Sequence, residues 1–260
     1  MKFSRLLLVG LFAGSLLGGC KGKDGDPGPA GAAGATGTPG TPGPSLTGTL
    51  YGFVSPVDEY GVAAAKSGVT VTLDGVSPAA TATTNADGRY EFAALRTGTY
   101  NLTFTRAGLT TVRRLGVAHV GGDQPTFLGT NTISAPSTTS FGNVSLNSQN
   151  NNSVQLYIPY ANAGASNNTF TRFIIYGSAN PGTTAANGIL LSFPGSVSSP
   201  FTTSLFKSTL NGSGFATGTR VYVVVYATPA FLTGFTDPLT GRFVYSGLST
   251  PSNEISFIVP

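Results

Sequence analysis

The chain has 260 residues, of which only 9% are charged, with 36 glycines, 17 prolines, one Cys, one His and no Trp; an ordinary globular domain carries about 25% charged residues. One Cys excludes a disulfide within the chain and a Cys₄ zinc site, and one His excludes any apparatus that needs two. Without Lys2 and Arg5, which belong to a leader, 12 basic residues face 10 acidic ones. That balance is no nucleic-acid footprint, while 40% apolar residues suffice for folded cores.

Lys2 and Arg5 open a basic segment, and Leu6–Leu17 is an apolar run of twelve residues. A membrane-spanning helix needs about 20, so the run is a secretory signal. It ends in Leu17-Gly18-Gly19-Cys20, which resembles the lipobox of bacterial lipoproteins. The resemblance implies a leader at residues 1–19 that is cleaved before Cys20. It implies acylation of Cys20 and an anchor in the membrane. Each buried CH₂ contributes about 0.8 kcal/mol, so several acyl chains hold firmly. Lys21 stands where, in such lipoproteins, an Asp directs inner-membrane retention. The expected address is the outer membrane or the cell surface.

From Gly22 to Gly43, eight glycines recur at strict period three, giving Gly-X-Y triplets that end at Ser45. Only Gly fits the axis of a collagen triple helix, and the segment 20–45 resembles collagen-like repeats. Eight triplets are few, and two of them, Gly31-Ala32-Ala33 and Gly34-Ala35-Thr36, carry only Ala or Thr. A single-chain extended spacer is favoured over a homotrimer. At ~3.1 Å per residue, the 24 residues would span about 75 Å in either form.

Residues 46–135 alternate apolar and polar side chains, the mark of half-buried strands. Val69, Val71 and Leu73 oppose Thr70 and Thr72; Tyr90 and Phe92 oppose Arg89 and Glu91; Tyr100, Leu102 and Phe104 form a third run. Asn85-Ala86-Asp87-Gly88 predicts a tight hairpin turn. The runs 68–73, 84–92, Leu95 and 98–102 resemble the carboxypeptidase regulatory-like domain. That resemblance implies a transthyretin-like, seven-stranded sandwich serving as an accessory module without catalytic residues.

Residues 136–260 predict a second sandwich, with strands at 154–159, 170–177, 188–193, 206–210, 220–228 and 254–259. The polar run 147–153 predicts an exposed loop or turn. Val221, Val223, Val225 and Ala227, followed by Ser249–Glu254 and Ile255, resemble the end of a fibronectin type III domain. Phe173–Ser178 resembles its third strand. No Trp stands near Leu156, and Val221 occupies the place of the family's corner Tyr. The fold expected is therefore all-β: two consecutive sandwiches, the second fibronectin type III-like or otherwise immunoglobulin-like.

Chemistry-bearing motifs are sparse. His119 precedes Asp123 by four residues, yet no nucleophile elbow, phosphate loop or zinc-protease motif accompanies them, so no catalytic residue and no cofactor is expected. Asn85 and Asp87, with Asp58, Glu59 and Asp74 elsewhere, provide too few converging oxygens for calcium, and no metal is expected. No motif supports an isopeptide bond between Lys66 and Asn101. Arg113-Arg114 predicts a solvated strand edge.

On the strand 220–228, Tyr222, Val224 and Tyr226 form an outer face that is also apolar, beside Ile174 and Tyr176. An apolar outer face on an antiparallel sandwich either binds a partner or is covered. Tyr222, Tyr226 and Tyr176 are thus the candidate binding face, for a protein or a glycan. Packing against the first sandwich or a loop such as 229–241 is the competing account, and the favoured one.

Overall fold

The computed structural model describes residues 46–162 and 170–260, together with Gly28, Gly31 and Gly34. The leader, Cys20 and the remainder of the Gly-X-Y segment lie outside the described residues. The chain divides into a unit at Met1–Gly43 and a unit at Pro44–Pro260. The second unit is nearly all β.

Its first seven strands are β1 (Thr47–Val57), β2 (Thr70–Asp74), β3 (Ala80–Thr83), β4 (Arg89–Arg96), β5 (Gly98–Thr105), β6 (Val112–His119) and β7 (Thr126–Ser134). They form two sheets, β4-β1-β7 and β3-β2-β5-β6. Alternation places Leu50, Val54, Val71, Leu73, Tyr90, Leu102, Phe104 and Ile133 in the core between them, none more than 1% exposed.

The Asn85–Gly88 turn forms, but with a different role from the one expected. It joins β3 to β4, which lie in different sheets, so it is a corner between layers rather than a hairpin within one. Asn85 Oδ1 accepts the amides of Asp87 and Arg89 at 3.0 and 2.9 Å. Gly88 has φ 83°, and a Cβ there would lie 2.3 Å from Val54 O. Both the left-handed backbone and the close approach demand glycine. Alternation cannot distinguish this corner from a hairpin, because the pairing partners lie far apart in sequence.

The second part comprises β8 (Ser140–Phe141), β9 (Ser145–Gln149), β10 (Ser153–Ile158), β11 (Tyr160–Ala161), β12 (Thr171–Ser178), β13 (Ile189–Ser192), β14 (Gly195–Ser196), β15 (Phe201–Phe206), α1 (Lys207–Gly212), β16 (Arg220–Thr228), β17 (Thr233–Thr236), β18 (Phe243–Ser246) and β19 (Ile255–Ile258). The sheet β15-β10-β9 faces the sheet β13-β12-β16-β19, to which β14 adds through β12. Val154, Leu156, Ile158, Phe173, Ile175, Leu205, Val221, Val223 and Val225 fill the space between. Of the polar run 147–153, read from sequence as a loop or turn, residues 147–149 belong to β9 and Ser153 to β10; only 150–152 form the turn, where Asn150 Oδ1 accepts the amides of Asn152 and Ser153 at 2.8 and 2.9 Å.

Residues 206–210 do not form the strand the pattern suggests. The strand occupies Phe201–Phe206, and the chain then turns into α1, which buries only Leu210. Phe215 N closes this turn on Leu210 O at 3.0 Å.

The segment Ser249–Ser252 extends the contacts of β16 beyond β19. Ser249 Oγ accepts Ala227 N at 2.9 Å, and Ser252 Oγ accepts Val225 N at 3.0 Å. The backbone amides of the same two serines donate to Ala227 O and Val225 O. Hydroxyls thereby satisfy buried strand amides that would otherwise lack acceptors.

The two sandwiches touch. The Glu59 carboxylate accepts Thr138 N at 2.6 Å and also the Thr138 hydroxyl. Glu59 O accepts Ala230 N at 2.8 Å, and Ser134 Oγ donates to Phe231 O at 3.2 Å. Arg113, on β6, lies over the Phe235 ring of β17, with its guanidinium carbon 5.4 Å from the centroid.

Candidate functional site

The outer face of β12 and β16 is apolar, as the sequence suggests, and it is covered. Ile174, Tyr176, Val224 and Tyr226 form a buried cluster of their own, with Leu190, Leu232, Tyr245 and Leu248 packed against it. Tyr176 is 4% exposed and Tyr226 is 8% exposed. Their rings meet edge to face at 5.9 Å. Tyr226 Oη accepts Ala185 N at 3.2 Å. Tyr222, nearer the start of β16, is half-buried, and its carbonyl accepts the Thr183 hydroxyl at 3.1 Å. The structure thus brings Tyr176 and Tyr226 together and leaves Tyr222 apart from them.

The cover is the hairpin β17–β18, which sequence reasoning read as a loop. Thr233 pairs with Ser246 and Thr236 with Phe243. At Gly234 a Cβ would fall 2.4 Å from Val244 O and 2.5 Å from the Phe243 ring, so the close pairing requires glycine. A signal was present: Phe235, Phe243 and Tyr245 alternate on either side of Asp237-Pro238 and Gly241, a turn composition. Asp237 Oδ2 accepts the Thr240 hydroxyl at 2.7 Å, and its Oδ1 accepts Leu239 N at 3.0 Å. The Thr240 hydroxyl, then the Leu239 amide, hold the Asp237 carboxyl below the usual range.

The hairpin does not close completely on the sheet. It leaves a cleft of about 360 Å³ lined by Tyr176, Asn187, Leu190, Arg242, Phe243 and Tyr245. Phe243 and Tyr245 stand edge to face at 4.8 Å, and Phe193 meets Tyr245 at 5.6 Å. Arg242 Nη2 donates to Gly188 O. Asn187 is committed on both sides, its Oδ1 accepting Thr184 N at 2.7 Å and its Nδ2 donating to Gly182 O at 2.9 Å. Burial, chiefly, pushes the Tyr176 phenol up to about 12, with smaller effects from Tyr245, Tyr226 and Arg242. The phenol therefore stays protonated and able to donate at any physiological pH.

The other titratable residues singled out by the sequence serve the fold. His119 is 1% exposed; its Nδ1 lies 2.8 Å from Thr126 Oγ1 and its Nε2 lies 3.1 Å from Leu95 O. A carbonyl only accepts, so Nε2 carries a proton and donates to Leu95 O. Asp74 accepts the Thr103 hydroxyl and pairs with Arg113 at 3.1 Å. Arg114 donates to Leu128 O, so the Arg113-Arg114 pair is bound within the fold rather than a free basic edge. Asp58 Oδ1 accepts the amides of Tyr60 and Val62. Asn101 Oδ1 accepts Gly116 N at 2.9 Å. Among the described residues, no three His, Cys, Asp or Glu side chains cluster to hold a metal. No helix among them is long and apolar enough to cross a membrane.

The fold defines the class first: an all-β chain of two sandwiches. Residues 49–154 match the family model of the carboxypeptidase regulatory-like domain. No curated protein matches the chain. Among solved structures, it is similar to a type II cohesin–X-dockerin complex from Acetivibrio cellulolyticus, at 24% identity and a TM-score of 0.28, over 35% of this chain and 59% of that one. The chain thus spans 59% of the length of that relative. It is similar to a Bacteroides uniformis protein described as a candidate carbohydrate binding protein, at 10% identity and a TM-score of 0.32, over 82% and 99% of the two chains. It is also similar to the FN1–FN3 domains of chicken CNTN1, at 10% identity and a TM-score of 0.28, over 83% and 65%.

Proposed function

We propose that this chain is a cell-envelope lipoprotein without catalytic activity of its own. It is anchored at the outer membrane or cell surface through lipid on Cys20. It displays two β-sandwich modules on a collagen-like Gly-X-Y spacer, for adhesion or for interaction with envelope proteins. The observation that carries the reading is how its polar groups are used. His119, Asp58, Asp74 and Asp237 are each committed to turns or to neighbouring strands, while the leader ends in the single Cys. A chain organised in this way holds surfaces in place; it does not move protons between groups.

The anchor has a direct test. In a Gram-negative host, the native chain should incorporate labelled palmitate and sediment with membranes. The Cys20→Ser chain should do neither. Incorporation in both would refute lipidation at Cys20. The spacer is read as a single extended chain, so a soluble Cys20→Ser form should sediment as a monomer; a trimer would instead make the Gly-X-Y segment an assembly element.

A second reading, a carbohydrate-binding accessory protein of a polysaccharide-handling system, is favoured by one feature. The cleft under the β17–β18 hairpin is walled by Phe243, Tyr245 and Tyr176, with Phe243 52% exposed. Aromatic surface open to solvent beside hydrogen-bonding groups suits a ring with one apolar and one polar side.

A further inference from the structure

We infer that the cleft between the β17–β18 hairpin and the outer face of β12 binds an acidic sugar, a pyranose ring that bears a carboxylate. The inference rests on the reading of the chain as a binding module, and specifies the ligand class of that module's site.

The first observation is Tyr176. It is only 4% exposed, and it lines the cleft. Its hydroxyl makes no hydrogen bond with the described residues and is not among their fully buried unpaired atoms, so it is open to the cleft. A phenol held in this way donates to whatever enters.

The second observation is the balance of donors and acceptors around it. Tyr245 carries another phenol on the same wall, and Arg242 spends one N–H on Gly188 O, with the rest of its guanidinium available. Among the described residues no carboxylate lines the cleft, and its one side-chain amide, Asn187, is bound to Thr184 and Gly182. A site with donors, one positive charge and no free carboxylate selects an anionic ligand rich in acceptors. Two phenols and a guanidinium offer more donors than one carboxylate can accept, which favours a ligand with further oxygens around a ring over an acidic side chain.

The third observation is the wall. Phe243 and Tyr245 line the cleft edge to face, and Ile189, also in its lining, is 46% exposed. The C–H face of a pyranose can lie against such rings while its carboxylate reaches Arg242. The cleft of about 360 Å³ falls within the usual size of small-ligand sites, roughly 300–1,000 Å³.

The test uses the full mature chain carrying Cys20→Ser, titrated by calorimetry with trimers of galacturonic, glucuronic and mannuronic acid. Maltotriose and triglutamate serve as the neutral and the peptide counterparts. At least one uronic acid trimer should bind saturably. Tyr176→Phe, with unchanged melting temperature, and Arg242→Gln should each weaken it at least tenfold. Maltotriose and triglutamate should bind at least tenfold more weakly than that trimer. The inference is overturned if none of the three uronates binds, if both variants bind as the parent does, or if maltotriose or triglutamate binds equally well. A failure of Cys20 lipidation, read by palmitate labelling, would refute the anchor and leave this titration unaffected.

Discussion

The Tyr176 and Tyr226 rings meet edge to face at 5.9 Å on the outer side of the second sandwich, beneath Leu232, Tyr245 and Leu248. Adjacent strands β12 and β16 bring them together, since Ile174 pairs with Tyr226 and Tyr176 with Val224. The pair makes the β17–β18 hairpin part of the fold rather than an ornament on it. Removing a large buried aromatic side chain costs about 3–5 kcal/mol. Tyr226→Ser should therefore lower unfolding stability by about that amount, and Tyr222→Ser by clearly less, since Tyr222 is only half-buried. Urea denaturation measures both; equal losses would mean the outer cluster does not stabilise the sandwich.

The hydroxyls of Ser249 and Ser252 accept the buried amides of Ala227 and Val225. Removing an acceptor leaves a buried donor unpaired, at a cost of about 1–3 kcal/mol. Ser252→Ala and Ser249→Ala should each fall in this range by chemical denaturation. Hydrogen exchange at Val225 and Ala227 should accelerate in the same variants.

Glu59 joins the sandwiches through Thr138 and Ala230. Its carboxylate contacts are lost in Glu59→Ala, while the backbone contact to Ala230 can persist. Each module should keep its own strands, but trypsin or subtilisin should cut the connection around residues 135–139 faster. Limited proteolysis with mass spectrometry reads this directly, and an unchanged cleavage rate would assign the junction to its apolar contacts alone.

Glu254 provides a pH dependence. Burial raises its pKa, but the Thr183 amide at 2.7 Å, with help from the Thr183 side chain and the Gly182 amide at 3.2 Å, outweighs this and leaves the carboxyl below its ordinary value. A carboxyl more acidic in the folded state contributes stability above its unfolded pKa, about 4.3. That contribution disappears as the pH falls through the lower folded value. The melting temperature of the native chain should drop more steeply than that of Glu254→Gln below about pH 4.3. Parallel acid limbs would show that the contacts at Thr183 and Gly182 do not favour the ionised form.

Much of this architecture can be read from residue order. The alternation of Val69, Val71 and Leu73, and of Val221, Val223 and Val225, places the cores correctly because a strand's period of two is local. What escapes the sequence is long-range. The Asn85–Gly88 turn has hairpin composition but joins two sheets, since β4 pairs with β1 and β3 with β2. The outer tyrosines are legible as an apolar face, but their cover is not, because β17 and β18 are four residues each and Gly234 interrupts β17. The cleft needs both the hairpin's position and the free Tyr176 hydroxyl, neither of which has a sequence pattern. The seven strands from Thr47 to Ser134 agree with the sandwich that the regulatory-like motif implied.

The proposed lipid-anchored display is tested most directly by antibody binding to intact cells. An antibody against residues 46–260 should label intact cells that express the native chain. With Cys20→Ser, cell-bound signal should fall to background while the protein appears in soluble fractions. Equal labelling of cells by both chains would contradict lipid-anchored display.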